Sequence, residues 1–262
     1  MKLNQEMKIS IIGAGNLAVN LALALEKSGF NVGEIFSRNI KNAEFLANQL
    51  YHTIPQNHLD FSDSTSSLFF LAVSDDALPE VVNNIALPAK ATLVHTSGTI
   101  ELVLLNRFEN HGVFYPIQTF SKNHLIDFNQ IPIAIEASNA DTSSLLTSIA
   151  NKVSGNFTFL DSEERRVVHL AAVFACNFTN HLLGVAYDVL DKKNLDITIL
   201  KPLILETIRK AMSSEHPFTS QTGPAIRNDM LTIEKHLKML SEEKENSRIY
   251  QLMTQQIQQQ QQ

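Results

Sequence analysis

Residues 7–12, Met-Lys-Ile-Ser-Ile-Ile, form an apolar run that enters the turn Gly13-Ala14-Gly15, and Asn16-Leu17-Ala18-Val19 leave that turn with helical character. A strand that ends in Gly-x-Gly and passes directly into a helix leaves the chain few local geometries. Gly13 permits the tight turn, Gly15 keeps side chains away from a ligand over the backbone, and Ala18 allows close helix–strand packing. Unpaired N–H groups at the start of such a helix, with the helix dipole behind them, suit a pyrophosphate. Gly-x-Gly-x-x-Ala alone is a weak signal. Its flanks support it here, because Gly29 stops the helix and 32–36 reads as a second strand, completing a βαβ unit.

The 262 residues suit two domains or one large one. Strand patterns at 7–12, 32–36, 68–73, 92–95, 113–115, 131–136 and 157–160 alternate with helical patterns at 42–50, 77–85, 101–108 and 143–152. This alternation predicts an α/β fold with a doubly wound parallel sheet, helices on both faces. After Leu160 the strand signals stop. Asp161 and Glu164 have the spacing of a helix cap, and a helical pattern then runs toward Leu190, followed by others at 197–212, 226–240 and 247–257. The expected organisation is therefore a Rossmann-like nucleotide-binding domain at 1–160 and an all-helical domain at 161–254. Residues 255–262 hold seven glutamines around Ile257 and are expected to be a disordered end.

A formal charge of −6 provides no basic footprint, so neither nucleic acid nor an anionic membrane is an expected partner. The lone cysteine, Cys176, excludes an internal disulfide and a cysteine-built metal centre; it is expected to be a small buried residue, and no metal site is expected. No stretch reaches the roughly 18 consecutive apolar residues of a spanning helix, and the N-terminus has no signal-peptide pattern, so the chain reads as cytoplasmic.

The end of the second strand selects between nicotinamide cofactors. An acidic residue about 20 positions past the glycine turn holds the ribose 2′-hydroxyl of NAD. Here the sequence is Phe36-Ser37-Arg38-Asn39, and Glu34 falls too early. A 2′-phosphate would pair with Arg38 and accept a hydrogen bond from Ser37, so NADP(H) is favoured. Gly13, Ala14, Gly15, Asn16 and Leu17 would cradle the pyrophosphate. Ser37, Arg38 and Asn39 would meet the ribose, with Asn39 also able to cap a helix. Val73 and Ser74 are expected as walls, with Asp75 and Asp76 capping the next helix.

His95-Thr96-Ser97-Gly98 follows a strand toward the expected nicotinamide end. His95 is a candidate proton donor and Ser97 a candidate orienting group, or the cluster simply ends the strand. Tyr115 and Gln118, in Tyr-Pro-Ile-Gln-Thr-Phe, are candidates for a substrate wall or for packing between domains. On the long helix, His169, Asn177 and Asn180 fall within an arc of about 80° at 100° per residue. They line a cleft or bond within the core. Thr222, Gly223, Arg227 and Asp229, in QTGPAIRND, either begin a helix or serve a ligand or domain contact, Arg227 being suited to a carboxylate.

These stretches, together with residues 112–122 (GVFYPIQTFSK), resemble a bacterial family provisionally named NADP-binding oxidoreductases, in which a Rossmann-like domain precedes a helical domain of unknown function. More distantly the chain is similar to pyrroline-5-carboxylate reductase and the β-hydroxyacid dehydrogenases. That resemblance implies hydride transfer to or from a small imine or oxo/hydroxy acid in a cleft between the domains, and a homodimer through the helical domain. The β-hydroxyacid dehydrogenases carry a catalytic lysine early on the first long helix, whereas no lysine occurs here before Lys192. This departure puts the lysine-assisted mechanism in doubt and keeps open a non-catalytic NADP(H)-binding or sensing protein.

Overall fold

The computed structural model describes residues 7–121 and 125–260; Lys122 of the 112–122 motif, and Gln261 and Gln262, lie outside them. The chain divides into two units, Met1–Asn177 and Phe178–Gln262. This division places the start of the long helix with the sheet, past position 160 where strand signals end.

In the first unit, β1 (Lys8–Ile12), β2 (Asn31–Phe36), β3 (Ile54–Gln56), β4 (Leu68–Leu71), β5 (Thr92–His95), β6 (Asn110–Pro116), β7 (Ile133–Ala137) and β8 (Phe157–Phe159) form one sheet ordered β3-β2-β1-β4-β5-β6-β7-β8. Neighbours are parallel except β6 and β7, which run antiparallel. A parallel return needs a helix-length crossover. Between 117 and 132 the described residues hold only a 3₁₀ turn, Phe128–Gln130, so the chain doubles back. The sequence did not single out β3, a three-residue edge strand containing Pro55, and the sheet edge is where a strand tolerates proline.

The helices between strands are α1 (Asn16–Lys27), α2 (Ile40–Ala47), α3 (Leu78–Asn84) and α4 (Ala140–Val153). Side chains alternate across the pleat, so the central strands feed two cores. Ile9, Ile11, Phe70 and Val94 pack in one with Leu21 and Leu25 of α1 and Leu146 and Ile149 of α4. Ile12, Phe69, Leu71 and Leu93 pack in the other with Leu78 and Val82 of α3. Burial on both faces explains why these strands read as continuous apolar runs. The helix expected at 101–108 is reduced to a 3₁₀ turn, Leu102–Leu105, because β6 begins already at Asn110.

Next comes α5 (Ser162–Ala172), opened by the expected capping box: Asp161 accepts the Glu163 and Glu164 N–H groups, and Glu164 accepts the Asp161 N–H. A π-helical turn, Val173–Phe178, then leads into α6 (Thr179–Asp191). By length and composition alone the helical stretch Ser162–Asp191 is apolar enough to cross a membrane, an 18-residue window of it reaching a mean hydropathy of 1.3, although polar residues interrupt its apolar runs.

The second unit continues with α7 (Lys201–Ser213), α8 (Met230–Met239) and α9 (Lys244–Gln259). Ala225 and Ile233 are its only buried apolar residues among those described. Cys176, expected to be buried, is exposed. Residues 255–259, expected to be disordered, instead finish α9. Glutamine is a good helix former, and Met253 and Ile257 continue the apolar face of this helix into a groove with Leu182 and Val185.

Candidate functional site

The strand order reverses between β1 and β4, and ligands of open α/β sheets bind at the carboxyl ends of such strands. Gly13 follows β1 there with φ +134°, and a Cβ on it would lie 2.2 Å from the Ala72 carbonyl oxygen. Chirality and space both require glycine. A Cβ on Gly15 would meet nothing within 4 Å. Gly15 is also the N-cap of α1, with no side chain capping the helix, so the first-turn N–H groups face open space.

A cavity of about 500 Å³ extends from Gly13, Ala14 and Gly15 to Ser37 and Arg38, and to Val73 and Ser74. The sequence motifs thus converge on one wall-to-wall site. Asn42 of α2 and Asn57 after β3 also line it, and neither residue type carried a signal in the sequence. Three expected members depart from the walls. Asn16 donates to the Phe120 carbonyl at 3.0 Å, so its side chain ties α1 to the loop after β6, and Leu17 packs against the core. Asn39 caps α2 by accepting the Lys41 N–H.

Glu34, the acidic residue nearest in sequence to the end of β2, is committed elsewhere. Its carboxylate accepts hydrogen bonds from Ser10 at 2.6 Å, from Gln56 at 2.8 Å and from Ser64. Beside the cavity the end of β2 therefore presents Ser37 and an exposed Arg38, while Glu80 of α3 contributes a carboxylate on another wall.

Beyond β4, the turn after β5 is held tightly. Ser97 Oγ accepts the Thr99 and Ile100 N–H groups at 3.0 Å each, and the His95 Nδ1 accepts the Ser97 N–H. Arg165 of α5 has no exposed side-chain surface. It pairs with Glu136 of β7, donates to the Ser97 carbonyl at 3.1 Å and donates to the Ile100 carbonyl. Burial, then the Arg165 charge, push the His95 imidazole down to about 3. His95, a candidate proton donor in the sequence, is enclosed and neutral here, and the Ser97 hydroxyl oxygen accepts two N–H groups of the turn. Asp75, expected as a helix cap, instead accepts from the Thr99 hydroxyl and so braces the same turn.

Tyr115, at the end of β6, and His169, one helical turn past Arg165, meet at 3.1 Å between Oη and Nδ1. Both are partly exposed. Arg165 escaped the sequence reading because an arginine in a charged first turn looks solvated. Its four-residue spacing from His169 was the available clue.

Residues 2–118 match the Rossmann-like domain family and 131–257 match the domain of unknown function DUF2520. A crystal structure from Bacteroides fragilis, provisionally named an NADP oxidoreductase, is 40% identical over 97% of this chain and 99% of its own, with TM-score 0.91. The chain belongs to this Rossmann–DUF2520 family. No match was found among curated proteins. The fold extends further: 1-pyrroline-5-carboxylate reductase from Streptococcus pyogenes superposes with TM-score 0.64 at 14% identity, covering 97% of this chain and 99% of that one. A reductive aminase from Aspergillus terreus, in complex with NADPH and ethyl-5-oxohexanoate, superposes with TM-score 0.64 at 16% identity, covering 90% and 87%.

Within the DUF2520 segment, the π-turn breaks the regular phase that placed His169, Asn177 and Asn180 on one sector, since its bonds run i to i+5. His169 is bonded to Tyr115, whereas Asn177 and Asn180 are exposed and have no side-chain hydrogen bond among the described residues. The helix expected from 226 begins at Met230, with Asp229 as its N-cap accepting the Thr232 N–H at 3.1 Å. Bonds to Thr232 hold the Asp229 carboxyl below the usual range. Arg227 is exposed, Gly223 takes φ +111° and Thr222 lines the apolar groove of the second unit. Gln118 is exposed, its amide oxygen accepting the Thr119 N–H.

Proposed function

We propose that the chain is an NADP(H)-dependent oxidoreductase that transfers a hydride to or from a small molecule of the imine or oxo/hydroxy acid type. The carrying observation is that Arg38 and Ser37 share one cavity with the glycine turn, while Glu34 is bound up by serines and Gln56. The site fits the cofactor: a Cβ on Gly13 would close the turn, and the space over Gly15 is open. The backbone of residues 13–15 and the start of α1 would hold the pyrophosphate, and Ser37 and Arg38 the 2′-phosphate. Bound NADPH supplies a hydride at its nicotinamide ring. The name of the B. fragilis relative and the NADPH held by the similarly folded reductive aminase support this reading. No lysine occurs on Ser162–Asp191, so lysine-assisted chemistry is not part of the proposal.

Titration calorimetry tests it. Wild-type protein should bind NADPH at least tenfold tighter than NADH. Arg38→Ala should weaken NADPH by about tenfold or more, the worth of a charge-assisted hydrogen bond, and leave NADH unchanged. Equal affinity for the two, or indifference to the substitution, would refute the assignment.

The exposed apolar face of the helical unit supports a second proposal, a homodimer through that unit. Leu205, Ile208 and Met212 form a stripe on α7 at spacings of three and four, and Met212 is 74% exposed.

A further inference from the structure

Arg165 and His169 lie four residues apart on α5 and so share one face of it. Through that face the helix meets the ends of β5 and β6: Arg165 fastens the turn after His95, and His169 reaches Tyr115. Gly98 lies against the pair. A Cβ on Gly98 would stand 2.8 Å from both His169 Nδ1 and Tyr115 Cζ. Gly98 does not take a positive φ, so what it provides is room for the two rings.

Resting on the oxidoreductase reading above, we propose that Tyr115 is the proton donor of the reduction and His169 the positioning residue that aims its hydroxyl and replaces its proton. Strand direction supports the placement. β5 and β6 run parallel to β1 and β4, so Tyr115 emerges on the same sheet edge as Gly13, on the side away from Arg38. The neighbouring groups are otherwise engaged. His95 is buried and neutral, Ser97 accepts two backbone N–H groups, Thr99 bonds Asp75, and Arg165 is saturated by Glu136 and two carbonyls. Tyr115 keeps partial access to solvent. Burial raises its phenol, Asp75 raises it further and Arg165 opposes both, so at neutral pH the oxygen carries its proton.

The step balances. When hydride reaches the carbon of a C=O or neutral C=N group, the π electron pair moves to the heteroatom. The Tyr115 Oη–H bond breaks as the new O–H or N–H bond forms. His169 passes its Nδ1 proton to Oη as Nε2 takes one from water, leaving hydroxide to the solvent, and proton exchange of the imidazole with solvent then restores the Nδ1–H form. A carbonyl or neutral imine substrate is therefore implied, since an iminium already carries the proton.

Of the two arrangements the Tyr115–His169 bond permits, one serves this role. Nδ1–H must donate to Oη, leaving the phenol proton for the substrate; in a purely structural bond Oη–H donates to Nδ1 and that proton is spent. Nitrogen-15 NMR of histidine-labelled full-length protein at pH 8, with the His169 signal assigned by its loss in His169→Gln, reads the difference directly. A protonated Nδ1 is expected, and a bare Nδ1 would overturn the proposal. Kinetics supplies a second arm, with NADPH and either 1-pyrroline-5-carboxylate or ethyl-5-oxohexanoate as probe. For a probe the wild type reduces, Tyr115→Phe should lower kcat by about 10²-fold or more, within the range of general acid catalysis, with NADPH affinity within twofold of wild type. Gly98→Ala, which crowds the pair without touching the phosphate end, should do likewise. Retention of kcat within threefold in Tyr115→Phe would remove the donor and leave the oxidoreductase reading standing. A wild type that fails to bind NADPH would instead remove both.

Discussion

The two units treat apolar surface in opposite ways. In the sheet unit, β4 and β5 are buried along their whole length and Phe69, Phe70 and Phe114 are fully enclosed. Among the described residues of the second unit only Ala225 and Ile233 are buried apolar residues, while Leu203, Leu205 and Leu231 are each more than 60% exposed. Each enclosed aliphatic or aromatic side chain contributes about 1.5–3 kcal/mol. The first unit thus encloses most of its apolar strand side chains, while the second leaves many large apolar side chains exposed, the surface on which the proposed homodimer rests. The lesson is that one chain holds two kinds of apolar sequence, one that fills a core and one that stays on the surface.

The largest effect should come from charging the exposed apolar stripe on α7. Leu205→Glu with Ile208→Glu should cost about 3–6 kcal/mol of association, at least a hundredfold in the dimer dissociation constant by sedimentation. The NADPH affinity of the sheet unit should be untouched. An unchanged sedimentation profile would break the comparison, and wild-type protein that floats with lipid vesicles would replace the second copy by a membrane.

Next in size is Arg165→Met in the sheet unit. Stripping one partner from a buried ion pair leaves Glu136 uncompensated, an expected loss of about 3–5 kcal/mol in urea unfolding. A loss below about 1 kcal/mol would show that the pair is well solvated.

The smallest effect is a pH dependence confined to the sheet unit. The His95 imidazole titrates near 6.5 when unfolded and near 3 when folded, so the unfolded state alone takes up its proton between those values. Stability is therefore complete above pH 6.5 and falls as pH drops toward 3, by up to roughly 4 kcal/mol from this residue. Replacing His95 by Asn should flatten that slope in acid-unfolding curves; an identical slope would place the titration elsewhere.

Much of the phosphate end of the site was legible in the sequence, because Gly13 and Gly15 act through backbone geometry and the end of β2 presents a short run of polar residues. The reacting end was not. His95 and Ser97 looked free because sequence shows residue type and hides the partner, and here the partners arrive from Arg165, 68 positions past Ser97. Asn177 and Asn180 lost their phase with His169 to a π-turn that leaves no compositional trace. The glutamine end misled in the other direction: low complexity reads as disorder, yet Met253 and Ile257 give the helix a face to keep.

The antiparallel pairing of β6 with β7 also decides where the chain can go next. Had β7 and β8 continued the parallel run, they would have ended at the ligand edge, and the following helix would have descended away from it. Reversed, they finish at the level where Glu136 sits opposite Val113, itself beside His95. α5 therefore starts low, grips Glu136 through Arg165 and climbs, so that its next turn brings His169 to Tyr115. A change of direction in a peripheral strand acts as the ramp that delivers a helix to the end of β6.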